Sequence, residues 1–136
     1  MVVDVIIPVY RPEREKLTKL IEWLNKQTVK PSRVFFMQTL VEKNEDEEVL
    51  QMLQKAENVE IVPIEKKDFD HGGTRNKGAA LSKADYMLFM TQDAVPVDAY
   101  LIENLVQAME EEEAATAYGR QLPDDTVGVI EHYTRK

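Results

Sequence analysis

Apolar residues fall along this chain in two alternating rhythms. Val2 to Val9, Val34 to Met37, Val59 to Ile64 and Tyr86 to Met90 are short apolar runs. They read as strands buried on both faces, being too short and too β-branched to favour helices. Between them apolar positions recur every three or four residues. Leu17, Leu20, Ile21 and Leu24 predict a helix opened by Pro12 and Glu13 and ended by Val29-Lys30-Pro31. Val49, Leu50 and Leu53 predict a second, reaching Ala56, behind a capping-box pair of Asn44 and Glu47. A third helix, of small residues, starts near Thr74 and runs to Ser82. Asp98 caps a fourth, whose core face is Ile102, Leu105, Val106 and Met109. Ala114 to Tyr118 reads as a short fifth strand, and from Gly119 onward the pattern weakens.

Strands alternating with helices, with the strands apolar on both faces, make an α/β layered domain: a mostly parallel sheet with helices on both faces. The 136 residues suffice for one domain with one core, and no repeat, linker or low-complexity segment divides them. Sheets of this kind bind ligands beyond the carboxyl ends of their strands. Tyr10, Gln38, Phe69 to Arg75 and Asp93 all fall at or beyond such ends.

Composition narrows the function classes. A net charge of −8 argues against nucleic acid as a partner, since that needs a basic face. The four acids Glu110 to Glu113 read as a solvated helix face. No cysteine is present, which removes disulfides and thiolate metal sites and suits a reducing cytoplasm. No apolar run approaches the ~20 residues of a membrane span.

Two segments carry the candidate chemistry. Phe69-Asp70-His71-Gly72-Gly73-Thr74-Arg75-Asn76 puts a glycine pair and an arginine where the third helix starts. Backbone N–H groups, a helix N-terminus and a guanidinium together make an anion site. A glycine turn with positive φ is the expected way of aiming those N–H groups. Thr91-Gln92-Asp93-Ala94 puts a carboxylate just past the fourth strand, where it can hold a metal or a ribose hydroxyl. The pair suggests a site for a nucleotide diphosphate. Purely structural roles stand beside these: Arg75 can pair with Asp70 or Asp93, Asp93 can cap a turn, and Tyr10 can cover the sheet edge. His71 reads as a hydrogen-bonded structural histidine, and Trp23 as core or partner contact.

Val5-Ile6-Ile7-Pro8-Val9-Tyr10, the helix end Asn25-Lys26-Gln27-Thr28, Gly73-Thr74-Arg75-Asn76-Lys77-Gly78 and an aspartate after the fourth strand together resemble the family 2 glycosyltransferases. Phe69 to Asn76, Thr91 to Ala94 and Tyr118-Gly119-Arg120-Gln121-Leu122-Pro123 resemble more narrowly the bacterial rhamnosyltransferase-like branch. The resemblance covers essentially the whole chain and is weakly specific for the sugar. It implies the GT-A fold, of which this chain would be the Rossmann-like nucleotide-binding half. It also implies transfer of a sugar, such as rhamnose, from a nucleotide-diphosphate donor to a hydroxyl on a glycan or lipid-linked acceptor, in polysaccharide assembly. By position, Pro8, Val9 and Tyr10 would hold the base, and Gln38 stands where the family often has a base-reading acid. Gly73, Arg75, Gln92, Asp93 and Ala94 would line the rest of the nucleotide-sugar site.

Asp93 would be the first acid of the family's Asp-x-Asp motif and the candidate ligand for a divalent cation, Mg²⁺ or Mn²⁺. Val95 replaces the second acid. Family 2 domains are longer than this chain, so the general base and the acceptor half would lie beyond Lys136. Residues 1–136 are expected to be a truncated single domain in the cytoplasm, membrane-associated in the full-length protein. The cut face is expected to favour self-association. The alternative is a nucleotide- or partner-binding module that performs no chemistry as the isolated fragment.

Overall fold

The structure, a computed structural model, describes residues 2–68, 71–92, 95–96, 98–112, 116–118 and 128–132. The order of elements is β1 Val3–Val9, α1 Arg14–Asn25, β2 Arg33–Leu40, α2 Lys43–Leu53, β3 Val59–Glu65, α3 His71–Leu81, β4 Tyr86–Met90, α4 Leu101–Glu112, β5 Thr116–Tyr118 and β6 Gly128–His132. The six strands form one sheet in the order β3-β2-β1-β4-β6-β5. The first four strands are mutually parallel, as expected. β6 runs antiparallel between β4 and β5. Weak periodicity after Gly119 concealed β6. Its only large aliphatic residues are Val129 and Ile130, and its place is set by distant partners on β4.

Helices cover both faces. Val5, Ile7 and Val9 alternate along β1 onto one face and join Leu17, Leu20, Ile21 and Leu24 of α1. Leu53 at the end of α2 and Ile102, Leu105, Val106 and Met109 of α4 complete that core. Ile6, Phe35, Met37, Met87 and Phe89 point to the opposite face, under α3. There Gly78 lets α3 approach closely. A Cβ at that position would lie 2.6 Å from Ile6 Cγ2 and 3.5 Å from Met37 Sδ.

Several local details differ from the sequence pattern. Helix α2 is not capped by Asn44, which lies inside its first turn. The Asp46 carboxylate instead reaches back to accept from the Val41 N–H at 3.0 and 3.2 Å. Asp98 does cap the approach to α4, accepting from the Tyr100 N–H at 2.8 Å. Helix α3 starts at His71 rather than Thr74, so Gly72 and Gly73 lie in its first turn and neither has a positive φ. Glycine is tolerated there because the first N–H groups of a helix have no partner within it.

Buried Gln27 ties two elements together. Its Nε2 donates to the carbonyls of Trp23 at 3.1 Å and Asp98 at 2.9 Å, while its Oε1 accepts from the Ile102 N–H at 3.2 Å. The end of α1 and the start of α4 therefore share one carboxamide. At the sheet's other extreme, β3 is an edge strand and carries Pro63 in its interior, where the missing N–H costs no ladder bond if that position faces away from β2. Large apolar side chains exposed among the described residues are Val2, Leu81 and Tyr100.

Candidate functional site at the carboxyl edge of the sheet

The order β3-β2-β1-β4 places the reversal of strand direction-of-growth between β1 and β4. A parallel sheet opens a crevice at the carboxyl ends of such a pair. The register pairs of β1 with β4 end at Ile6↔Phe89, whereas β1 keeps β2 beside it as far as Val9↔Gln38. The last residues of β1 therefore have a strand neighbour on one side.

Gln92, two residues past β4, takes up the other side. Its Oε1 accepts from the Tyr10 N–H at 2.7 Å and its Nε2 donates to the Tyr10 carbonyl at 2.9 Å. A carboxamide here satisfies the same two backbone groups that a neighbouring strand would satisfy. Immediately beyond, Arg11 has φ of 40°, in the left-handed region that non-glycine residues seldom occupy. Its guanidinium pairs with Glu45 of α2 at 3.5 Å.

The structure brings some of the sequence-predicted residues together and separates others. Pro8 and Tyr10 are half-buried at the crevice. Val9 is 1% exposed and belongs to the core under α1, so what it can offer a ligand is backbone. Gln38 lies within β2 rather than after it, since that strand extends to Leu40. It is buried, and its Nε2 donates to the Asp46 carbonyl in α2 at 3.1 Å. That bond places its side chain on the α2 side of the sheet, away from α3. Gly73 is exposed in the first turn of α3, and Arg75 follows in the same helix. Asp70, Asp93 and Ala94 lie outside the described residues.

Two further residues carry a signal that the sequence reading passed over. Thr39 and Thr74 are each 2% exposed, and neither hydroxyl has a hydrogen-bond partner. Thr39 follows Phe35 and Met37 on the α3 face by alternation, and Thr74 precedes Gly78 by one helical turn. Both therefore sit on the α3 side toward the carboxyl edge. Buried hydroxyls are seldom left unpaired without reason. A polar residue at a position that periodicity assigns to the core was the available clue.

The N-terminal turn of α3 brings the positive end of a helix dipole to this edge. The arrangement suits an anionic ligand lying across β1 and β4. Among the described residues there is no group of three histidines or acids that could hold a metal ion. No described helix is long and apolar enough to cross a membrane.

Residues 4–135 match the family model described as glycosyl transferase family 2. The O-antigen chain rhamnosyltransferase RfbN of Salmonella typhimurium is 32% identical over 124 residues, an alignment covering 90% of this chain and 38% of that protein. Among solved structures, Staphylococcus aureus TarS 1-349 in complex with UDP-GlcNAc superposes with a TM-score of 0.68 at 20% identity, covering 90% of this chain and 37% of that one. The mannosyltransferase PcManGT of Pyrobaculum calidifontis, in complex with GDP-Man and Mn²⁺, gives 0.72 at 14% identity, covering 90% and 36%. The fold is thus the Rossmann-like part of a GT-A domain. The chain spans a little over a third of the length of these three proteins.

Proposed function

The chain belongs to glycosyl transferase family 2, and from that premise we propose that it forms the donor-binding half of a bacterial enzyme building cell-surface polysaccharide. The donor is a nucleotide-diphosphate sugar. Similarity to an O-antigen chain rhamnosyltransferase supports rhamnose as the sugar. The acceptor is a hydroxyl on a glycan or a lipid-linked saccharide. One observation carries the reading: the Tyr10–Gln92 corner and the first turn of α3 meet the carboxyl edge of one sheet at its switch point.

In the proposed reaction the acceptor oxygen bonds to the anomeric carbon and the bond from that carbon to the diphosphate breaks. The acceptor's proton leaves to a base, and the bonding pair stays on the diphosphate. Negative charge thus grows on the departing group, where aimed N–H groups and cations lower the barrier most. In this reading the positive end of α3 meets it, at the turn that holds Gly73, with Arg75 two residues further along the helix. Pro8, Val9 and Tyr10 line the base side through backbone and ring, with Gln38 behind them. Asp93 and Ala94 complete the sugar side.

Asp93 is the residue that would hold a divalent cation, and Mn²⁺ accompanies the donor in the mannosyltransferase neighbour. A bound cation would supply further positive charge to the diphosphate. Val95 stands in place of a second acid. That same replacement favours, for this stretch of chain by itself, a module that binds nucleotide and performs no transfer. The cysteine-free composition suits a cytoplasmic location, where this reading puts the enzyme.

Titration of the chain with uridine and thymidine diphosphates, followed by amide NMR, tests the donor site. Resonances of Tyr10, Gly73 and Arg75 are expected to move. Saturating nucleotide that moves none of them would end the donor-site reading. Transfer from a radiolabelled nucleotide sugar by the full-length protein then separates enzyme from module.

A further inference from the structure

We infer that Gln92 is a positioning residue: its carboxamide stands in for a missing strand and holds the Tyr10–Arg11 corner in the shape that receives the nucleotide. The inference rests on the donor-site reading above and assigns within it a role to a residue that sequence position alone would make a ligand contact.

The geometry of the ladder comes first. Continued beyond Ile6↔Phe89, the β1–β4 register would set Val9 opposite Gln92, and backbone would bond to backbone. Such pairing would close the crevice. Instead the two strands part, and the polar groups of Tyr10 meet a side chain. A glutamine side chain reaches across a wider gap than a peptide group, yet it offers the same donor and acceptor. The strands can therefore splay without leaving buried backbone groups unpaired, which would be costly.

The second observation is the strain next door. A φ of 40° at Arg11 is disfavoured for a residue with a Cβ and persists only where its surroundings over-determine it. Two bonds from Gln92 fix the peptide groups on either side of Tyr10, and the Arg11–Glu45 pair fixes the far side of the corner. Both Gln92 polar atoms face protein backbone, so their contribution to a ligand runs through Tyr10. A site held in its bound shape before the ligand arrives does not lose affinity to ordering it.

Comparison of Gln92→Ala and Gln92→Glu with the wild-type chain tests this. The readouts are amide hydrogen exchange at Tyr10 and affinity for uridine and thymidine diphosphates, both taken well below the unfolding temperature. Gln92→Ala loses both bonds and should speed Tyr10 exchange and weaken nucleotide binding, each by about tenfold or more. Gln92→Glu keeps the acceptor for the Tyr10 N–H and should fall between Ala and wild type in both. A direct phosphate contact predicts the reverse order in affinity, because a carboxylate beside a diphosphate is worse than a methyl group. Affinity lost with Tyr10 exchange unchanged would overturn the proposal, as would faster exchange with affinity intact. Wild-type chain that binds neither nucleotide would instead remove the donor-site reading itself.

Discussion

On one face of the sheet, α1, α2 and α4 bury Leu17, Leu20, Leu24, Leu53, Ile102 and Met109 against β1, β2 and β4. On the other, among the described residues, α3 is the helix that covers Ile6, Phe35, Met37, Met87 and Phe89, and a glycine replaces a side chain at its close approach. The polar content differs as much. Asp4, which alternates with Ile6 onto the α3 face, accepts from Ser82 Oγ at 2.6 Å through Oδ2, while its Oδ1 has no partner. Thr39 and Thr74 add two more unpaired buried oxygens on that side. The first face spends its residues on packing. The second gives up packing and hydrogen-bond satisfaction, and it is the face on which α3 delivers its N-terminal turn to the carboxyl edge. Unsatisfied groups of this kind concentrate where a protein has something to do besides stay folded.

The comparison can be broken most severely on the thick face. Phe36 is fully buried there, and Phe36→Ala should cost about 3–5 kcal/mol by lost transfer energy and a residual cavity. Urea unfolding measures it, and a loss below about 1 kcal/mol would mean that this face is not the main core. Next comes Gly78→Ala. Overpacking against Ile6 Cγ2 should cost about 1–3 kcal/mol, against about 1 kcal/mol regained in helix propensity. Adding Ile6→Val should not restore stability, because valine keeps that methyl, whereas Ile6→Leu should restore part of it.

Thr74→Val sharpens the contrast in the opposite direction. It keeps the shape and removes an unpaired hydroxyl, so stability should rise by about 1 kcal/mol. If the hydroxyl serves the nucleotide site, affinity for uridine diphosphate should fall in the same variant; a stabilised chain with unchanged affinity would make the hydroxyl a plain packing defect. The smallest effect is expected at Tyr86, far from the crevice at the start of β4. Its hydroxyl donates to Glu110 at 3.2 Å. Burial, and then the Glu110 and Asp85 charges, hold its pKa above the usual 10.0. The folded state thus keeps this proton more tightly than the unfolded chain. The resulting stability is present below pH 10.0 and is lost as pH rises through the higher folded value. Tyr86→Phe should be nearly neutral at pH 7 and should flatten the alkaline decline above that point.

Much of the thick face was legible in the sequence because it obeys simple periods. The core residues expected on α1 and α4 are all buried. What escaped was set by contacts across long sequence distances. β6 exists because β4 offers it an edge, and Gln27 is buried because α4 needs an acceptor for the Ile102 N–H. At the carboxyl edge, the placement of Tyr10 and Gln92 after their strands was legible, but their contact was not. Tyr10 and Gln92 are both at the crevice, but no spacing rule says that one would hold the other. Val9 was placed at the right strand end, though strand alternation sends its side chain into the core.

Pro63 bears on how the chain reaches this structure. During synthesis β1, β2 and β3 are complete by Glu65, before β4 begins at Tyr86. Over that interval the nascent sheet has two open sides. The β1 side must stay receptive, since β4 will dock there, and it is the side at which neighbouring chains could pair wrongly. The β3 side has no partner strand among the described residues. An imino acid in its middle removes one of the donors a stray strand would need. A sheet formed in the order of synthesis would thus have one receptive edge and one blunted edge, and β4 begins about twenty residues after β3 ends.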